Sequence, residues 1–84
     1  MKKTNLNKAF DREFGKYVKK KRIEKGWSQL ELAGRVENNF QNISRLERGD
    51  ITPTLFWCYK LAGAFEMNLS EMIEELDFQA KNKR

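Results

Sequence analysis

Residues 28–49 read SQLELAGRVENNFQNISRLERG and contain the signals of two short helices joined by a tight turn. Ser28 is a typical helix N-cap, and Glu31 completes a capping box, in which each side chain accepts a hydrogen bond from the other residue's backbone N–H. A second N-cap follows at Asn38 or Asn39, because a short polar side chain there accepts a hydrogen bond from the first turn. This spacing predicts a helix-turn-helix.

Both helices of this stretch have one apolar face. The first has its stripe at helical spacing, formed by Leu32, Ala33 and Val36, and is predicted to end near Val36. In the second, Ile43 and Leu46 face inward, and Gly49 ends the helix as a C-terminal cap.

Upstream, the sequence predicts one helix over residues 6–25. Its apolar face repeats at spacings of three and four and consists of Phe10, Phe14, Tyr17 and Val18. Gly26 ends this helix. Gly15 lies inside it and costs roughly 1 kcal/mol relative to alanine, so a break near Gly15 is one expectation.

Downstream, two further helices are predicted. Thr52 caps the fourth, with Pro53 at its first helical position, where a missing N–H does no harm. Its inward face is expected to hold Leu55, Cys58, Leu61, Ala62 and Phe65. The fifth begins at Ser70 and has an apolar stripe of Met72, Ile73 and Leu76. No segment alternates with period two, so the predicted fold class is all-α, a compact bundle of about five helices.

The length and charge narrow the class of protein. Eighty-four residues predict a single domain over 1–84, with a core over 8–78 and flexible ends. Of 17 Lys and Arg, ten lie in residues 1–26, against three of the 12 acidic residues. Such a basic excess favours a polyanionic partner through counterion release.

No signal peptide or membrane-length apolar run is present, so we expect a cytoplasmic protein that does not enter a membrane.

Several kinds of site are not expected from this composition. There is no histidine, and Cys58 is the single cysteine, so neither an internal disulfide nor a zinc staple is predicted. Paired inward carboxylates and a phosphate-cradling loop are also missing. We therefore predict no catalytic residues, no metal, no cofactor and no small-molecule ligand; the protein is not expected to be an enzyme.

The order of motifs resembles the lambda-repressor-like, XRE-type helix-turn-helix family. The matching parts are Arg22, GWSQLELA from Gly26, ISRLERG from Ile43, PTL from Pro53, LA from Leu61 and FEMNLSEM from Phe65. The likeness covers about residues 14–76. It implies a sequence-specific regulator that binds double-stranded DNA, similar to restriction–modification controller proteins and phage-type repressors.

The second helix of the motif has the chemistry to read bases. A major groove about 12 Å wide admits one helix, whose outward side chains meet the base edges. Gln41 matches adenine and Arg45 matches guanine, both in bidentate fashion, and the resemblance places both on the groove side. The predicted base contacts are Asn39, Phe40, Gln41, Ser44 and Arg45. For Phe40 two readings stay open: packing on thymine methyls, or folding back onto Trp27 or Leu30.

The resemblance also implies supporting roles. The candidates for phosphate contacts are Gln29, Asn42 and Arg48, and part of the basic run at residues 16–21 could add one or two more. Arg22 and Glu47 are expected to pair and to link the first helix to the recognition helix. The family usually has glycine where Glu37 stands, so the turn is expected to shift by one residue.

Apolar residues beyond the needs of a core suggest a homodimer on a palindromic operator. The candidate interface residues are Phe56, Trp57, Tyr59, Met72, Leu76 and Phe78; the alternative is that a monomer core uses all of them. A second function stays open, that of an antitoxin that binds a toxin protein and regulates its own operon, although few residues follow the fifth helix.

Overall fold

The computed structural model describes residues 5–81, which contain five helices and no strand. The helices are α1 (Asn5–Glu24), α2 (Gln29–Arg35), α3 (Phe40–Glu47), α4 (Leu55–Ala64) and α5 (Leu69–Lys81). The all-α prediction is therefore confirmed. Helical structure extends past the predicted core of 8–78 on both sides, to residues 5 and 81. The rest of the two ends predicted to be flexible lies outside the described residues. Within residues 5–81, no helix has both the length and the hydropathy to span a bilayer.

Helix α1 runs unbroken through Gly15, so the expected break does not occur. Gly15 is buried against the end of α3. A β-carbon at this position would lie 2.5 Å from the Leu46 carbonyl oxygen and 2.6 Å from that of Glu47. Glycine is needed here because it lets the two helix backbones approach closely.

Both helices of the motif begin where the sequence predicts. The Ser28 hydroxyl accepts from the Glu31 N–H at 3.0 Å, and the Glu31 carboxylate accepts from the Ser28 N–H at 2.8 Å. Asn39 is the N-cap of α3, and its side chain accepts from the Asn42 N–H at 2.8 Å. The capping box and the second N-cap therefore fix where α2 and α3 start.

The turn between α2 and α3 is not shifted. Glu37 itself takes the left-handed conformation, with φ of 55°. The expected shift by one residue is wrong, because Glu37 accepts the strain that a glycine would avoid.

The start of α4 differs from the prediction. Thr54, not Thr52, is the N-cap, and its hydroxyl accepts from the Trp57 N–H at 3.0 Å. Pro53 therefore precedes the cap. The Thr52 hydroxyl instead donates to both carboxylate oxygens of Asp11, at 2.6 and 2.8 Å. Asp11 is 1% exposed and needs a hydrogen-bond partner. Because Thr52 is that partner, Thr54 is the threonine that caps α4, a distinction that the local sequence does not make.

One apolar core joins all five helices. It is formed by Phe14, Tyr17, Val18, Leu32, Ala33, Val36, Ile43, Leu46, Trp57, Cys58, Leu61, Ala62, Phe65, Met72 and Leu76. Leu55, predicted to face inward, is exposed. Phe10 is only partly covered and stacks on Phe14 with ring centroids 5.6 Å apart, while Ile73 is also largely exposed.

The core corrects the predicted dimer interface. Met72 is fully buried and Leu76 nearly so within a single chain, and Trp57 is 9% exposed. Their side chains fill the protomer's own core, so they leave little surface for a partner. The exposed members of the predicted set are Phe56, Tyr59 and Phe78.

Candidate nucleic-acid interface

Helix α3 buries one side and exposes the other. Ile43 and Leu46 are fully buried beneath it. On the opposite side Gln41 and Arg45, which are one helical turn apart, are both exposed. The same exposed flank begins at Asn39 and Phe40 and includes the partly buried Ser44. The structure thus brings the five predicted base-contact residues together; we call this set the α3 outer flank.

Phe40 does not fold back onto Trp27. The Trp27 ring stacks on Phe65, with centroids 6.1 Å apart, and the Arg35 guanidinium lies 4.1 Å above the Trp27 ring. Phe40 is 47% exposed, and Leu30 is more exposed still. The apolar ring of Phe40 is therefore presented at the first position of α3.

Asparagine side chains hold the leading end of α3. The Asn38 side-chain oxygen Oδ1 accepts from the Asn39 N–H at 2.8 Å and from the Asn42 side-chain amide at 2.9 Å. Together with the Asn39 cap, these bonds fix the direction in which α3 starts. Asn42, a predicted phosphate contact, therefore already uses one of its two amide hydrogens within the chain.

A network of polar side chains holds the trailing end of α3. The Arg22 guanidinium donates to Glu47 through Nε at 2.7 Å and Nη2 at 3.1 Å, and through Nη1 to the Trp27 carbonyl at 2.8 Å. The Gln29 amide donates to Glu47 Oε1 at 3.0 Å. The Glu47 side chain is 3% exposed and that of Arg22 12%. These bonds tie the end of α1 and the start of α2 to α3, and we call them the rear brace.

The Gln29 side-chain amide is only partly used by the rear brace. One amide hydrogen is used on Glu47, which leaves the second hydrogen for another acceptor. Gln29 is also the first residue of α2, next to the unpaired N–H groups of a helix start.

Arg48 hydrogen-bonds two neighbours within the chain, although its side chain is more than half exposed. Its Nε donates to Asp50 at 3.0 Å, and its Nη1 donates to the Ser44 hydroxyl in a short hydrogen bond. Arg48 was predicted from the sequence as a phosphate contact, and its bond to Ser44 was not predicted. The spacing of four residues along one helix is the signal that could have indicated this bond.

The basic run on α1 is partly neutralised. Lys21 lies 3.1 Å from Glu75 on α5, and the Tyr17 hydroxyl donates to the same carboxylate at 2.7 Å. These two bonds lower the pKa of Glu75, with the Tyr17 hydrogen bond the larger cause. Burial, together with that bond, raises the pKa of Tyr17 well above its ordinary range. Lys19 and Lys20 are exposed.

The roles of two structurally important residues were not predicted from the sequence. Asp11 binds Thr52 in the loop after α3, and Gly15 lets α1 contact the end of α3. The i, i+3 spacing of Asp11 from the inward-facing Phe14 is the available signal that Asp11 faces the core.

The arrangement can present a helix to a groove. Among residues 5–81, no group of His, Cys, Asp and Glu side chains could hold a metal ion. A short helix with an exposed polar flank, held at both ends and preceded by a second helix, defines the helix-turn-helix class of DNA-binding proteins.

Sequence comparison agrees with this class. The family model for helix-turn-helix proteins matches residues 18–72, and the chain belongs to this family, in its XRE-type branch. The protein is therefore a DNA-binding transcriptional regulator. No curated protein matches its sequence significantly.

Two solved structures are similar to it. The clp gene regulator ClgR from Corynebacterium glutamicum aligns with a TM-score of 0.79 and 19% identity, over 88% of this chain and 79% of that chain. The restriction-modification controller protein C.AhdI from Aeromonas hydrophila aligns with a TM-score of 0.72 and 30% identity, over 76% of this chain and 97% of that chain. The likeness to ClgR shows a shared fold.

Proposed function

We propose that this protein is a cytoplasmic homodimeric regulator that inserts α3 into the major groove of a palindromic operator. The observation that carries the proposal is the α3 outer flank, which is exposed while the rear brace and the asparagine network hold α3 in place. A helix fixed at both ends loses little freedom on binding, so its contacts contribute more to affinity.

The exposed side chains match different base edges. Gln41 is expected to bond adenine and Arg45 guanine, while the Phe40 ring packs on a thymine methyl. Asn39 uses its side-chain oxygen as a cap, which leaves its amide nitrogen to donate to a base. Gln29 and Asn42 each have a second amide hydrogen for a phosphate oxygen.

An exposed apolar face on α4 supports the proposed dimer. Leu55, Phe56 and Tyr59 lie on one side of α4 and are between 64% and 73% exposed. The Lys60 ammonium lies 4.9 Å from the centroid of the Phe56 ring. Phe78 on α5 is the remaining exposed member of the predicted interface. A symmetric dimer would cover such a face on both copies at once.

The comparisons favour a role as a restriction–modification controller protein. C.AhdI carries that description and is 30% identical over nearly its whole length, whereas ClgR is only 19% identical. A neighbouring methyltransferase or endonuclease gene would support this role. Capture of a co-encoded toxin by the purified protein would support the antitoxin function instead.

Footprinting on an operator selected from random DNA tests the proposal. A dimer should protect two half-sites roughly 10 base pairs apart, centre to centre. Phe56→Glu should yield a monomer in sedimentation analysis and weaken operator binding. Ile23→Glu replaces another apolar residue that is more than half exposed, on α1, and should leave the dimer intact. Protection of one isolated half-site would contradict the dimeric proposal.

A further inference from the structure

We propose that Arg48 is a positioning residue for Ser44 and that Ser44 determines specificity at one base pair by donating a hydrogen bond. The inference rests on the proposed insertion of α3 into the groove. It assigns to Arg48 a role different from the phosphate contact that its charge and place in the motif suggest.

The first step is the direction of the hydrogen bond between these residues. An arginine guanidinium only donates, so the Ser44 hydroxyl oxygen must be the acceptor of the bond from Arg48 Nη1. The hydroxyl hydrogen then has to point elsewhere. No second bond from this hydroxyl is present within residues 5–81, so the hydrogen is available to an incoming ligand.

The second step is that Asp50 keeps Arg48 in this place. Arg48 Nε donates to the Asp50 carboxylate at 3.0 Å, while Nη1 reaches Ser44. The guanidinium is planar, so two of its donors on fixed partners set the orientation of the whole group. The carboxylate also offsets the positive charge that would attract a phosphate. Both side chains are more than half exposed, so this pair orients more than it stabilises.

The third step is the place of Ser44 on the helix. Ser44 lies one helical turn after Phe40, beside Gln41 on the α3 outer flank, and is partly buried. A hydroxyl that is already an acceptor from Arg48 presents a donor to the groove. Purine N7, guanine O6 and thymine O4 accept such a bond, whereas the exocyclic amino groups of adenine and cytosine do not. Ser44 should therefore favour an acceptor edge at one position of the half-site.

Base preferences measured by competition among single-base variants of a selected operator test this inference. Ser44→Ala should reduce discrimination at one base pair by about fivefold, the value of one neutral hydrogen bond. Arg48→Met should reduce discrimination at that same base pair, and the double variant should lose no more than either single one. Asp50→Asn should raise affinity for unrelated DNA and steepen its salt dependence, because Arg48 is released toward phosphates.

Matched variants separate the outcomes. Lys81→Met removes another exposed, ion-paired cation and should change no base preference. If Arg48→Met instead weakens all sequences alike and flattens the salt dependence, Arg48 is a phosphate contact and the inference is overturned. It is also overturned if Ser44→Ala changes no base preference. Gln41→Ala reports on the groove itself: if it too changes no preference, the proposed function fails, and if it does change one, only the role of Ser44 and Arg48 is rejected.

Discussion

Arg22 and Glu47, which are 25 residues apart in the chain, form a two-bond ion pair whose carboxylate is almost completely buried. The pair joins the last turn of α1 to the last residue of α3. Because taking both charges out of water offsets much of their attraction, such a pair fixes geometry more than it adds stability. Its consequence is that the orientation of α3 depends on residues that do not lie on the α3 outer flank.

Glu47→Ala should weaken DNA binding although Glu47 is not expected to touch DNA. The substitution leaves the Arg22 charge and the Gln29 amide without their acceptor, which should cost about 3 kcal/mol of folding free energy. Urea unfolding measures that loss, and operator titration of the folded variant measures affinity. All operators should weaken alike. Glu74→Ala, at an exposed glutamate on α5, is the control, and an equal effect from it would count against the rear brace.

Gly15→Ala should destabilise the fold. In a helix interior, replacing glycine by alanine ordinarily stabilises by about 1 kcal/mol. Here the new β-carbon would meet two backbone carbonyl oxygens of α3 at 2.5 and 2.6 Å, so the helices must separate and the sign reverses. Gly34→Ala is the matched control, since nothing lies within 4 Å of its new β-carbon, and it should raise the melting temperature. A stabilised Gly15→Ala protein would show that the two helices are not in close contact.

Glu37→Gly should stabilise the protein. Glu37 has a φ of 55°, and a left-handed conformation costs an ordinary residue roughly 1–2 kcal/mol. The greater conformational entropy of glycine in the unfolded chain cancels part of the stability gained by removing this strain. A net gain of about 0.5–1 kcal/mol in the free energy of unfolding is therefore expected. Glu37→Ala keeps the β-carbon and should give no such gain. Chemical denaturation distinguishes them, and equal stabilities for the two variants would remove the strain argument.

Stability should fall in acid partly through Glu75. The Tyr17 hydroxyl, followed by Lys21, holds the pKa of Glu75 below its value in the unfolded chain. A carboxyl with a lowered folded pKa contributes fully above its unfolded pKa and loses that contribution as the pH falls through the folded value. The loss should therefore begin at about pH 4.5 and continue downward. Glu31 and Glu66 have pKa values lowered by Ser28 and Lys25 and add in the same direction.

The variant Tyr17→Phe isolates this contribution. It keeps the buried ring but removes the hydroxyl that lowers the pKa of Glu75. Its urea midpoint should therefore change less between pH 6 and pH 3 than that of the parent protein. These two pH values lie above and below the ordinary glutamate pKa of 4.5. An identical pH dependence would mean that the Tyr17–Glu75 bond does not persist in solution.

Local signals predicted the motif well, because caps act over three or four residues. Ser28, Glu31 and Asn39 form the bonds that their spacing indicates, and Ile43 and Leu46 are buried as the helical period requires. The exposed side of α3 was predicted for the same reason. Each of these features depends on neighbours within one helical turn.

Features set by distant contacts were missed. The cap of α4 is Thr54 rather than Thr52 because Asp11, 41 residues away, binds the Thr52 hydroxyl. Gly15 does not break α1 but allows α1 to contact α3 closely, and only the position of α3 explains this. Likewise, helical period assigns Met72 to an apolar stripe but cannot decide whether its own core or a partner covers it; its own core does.

The most direct test of the central claim is selection of binding sites from random DNA by the parent protein and by Gln41→Ala and Arg45→Ala. If α3 reads the major groove, each variant should lose discrimination at its own base pair, by roughly 1–3 kcal/mol per contact, with adenine affected for Gln41 and guanine for Arg45. Both should keep the remaining preferences of the parent. Uniformly weaker binding with an unchanged consensus in both variants would contradict the claim.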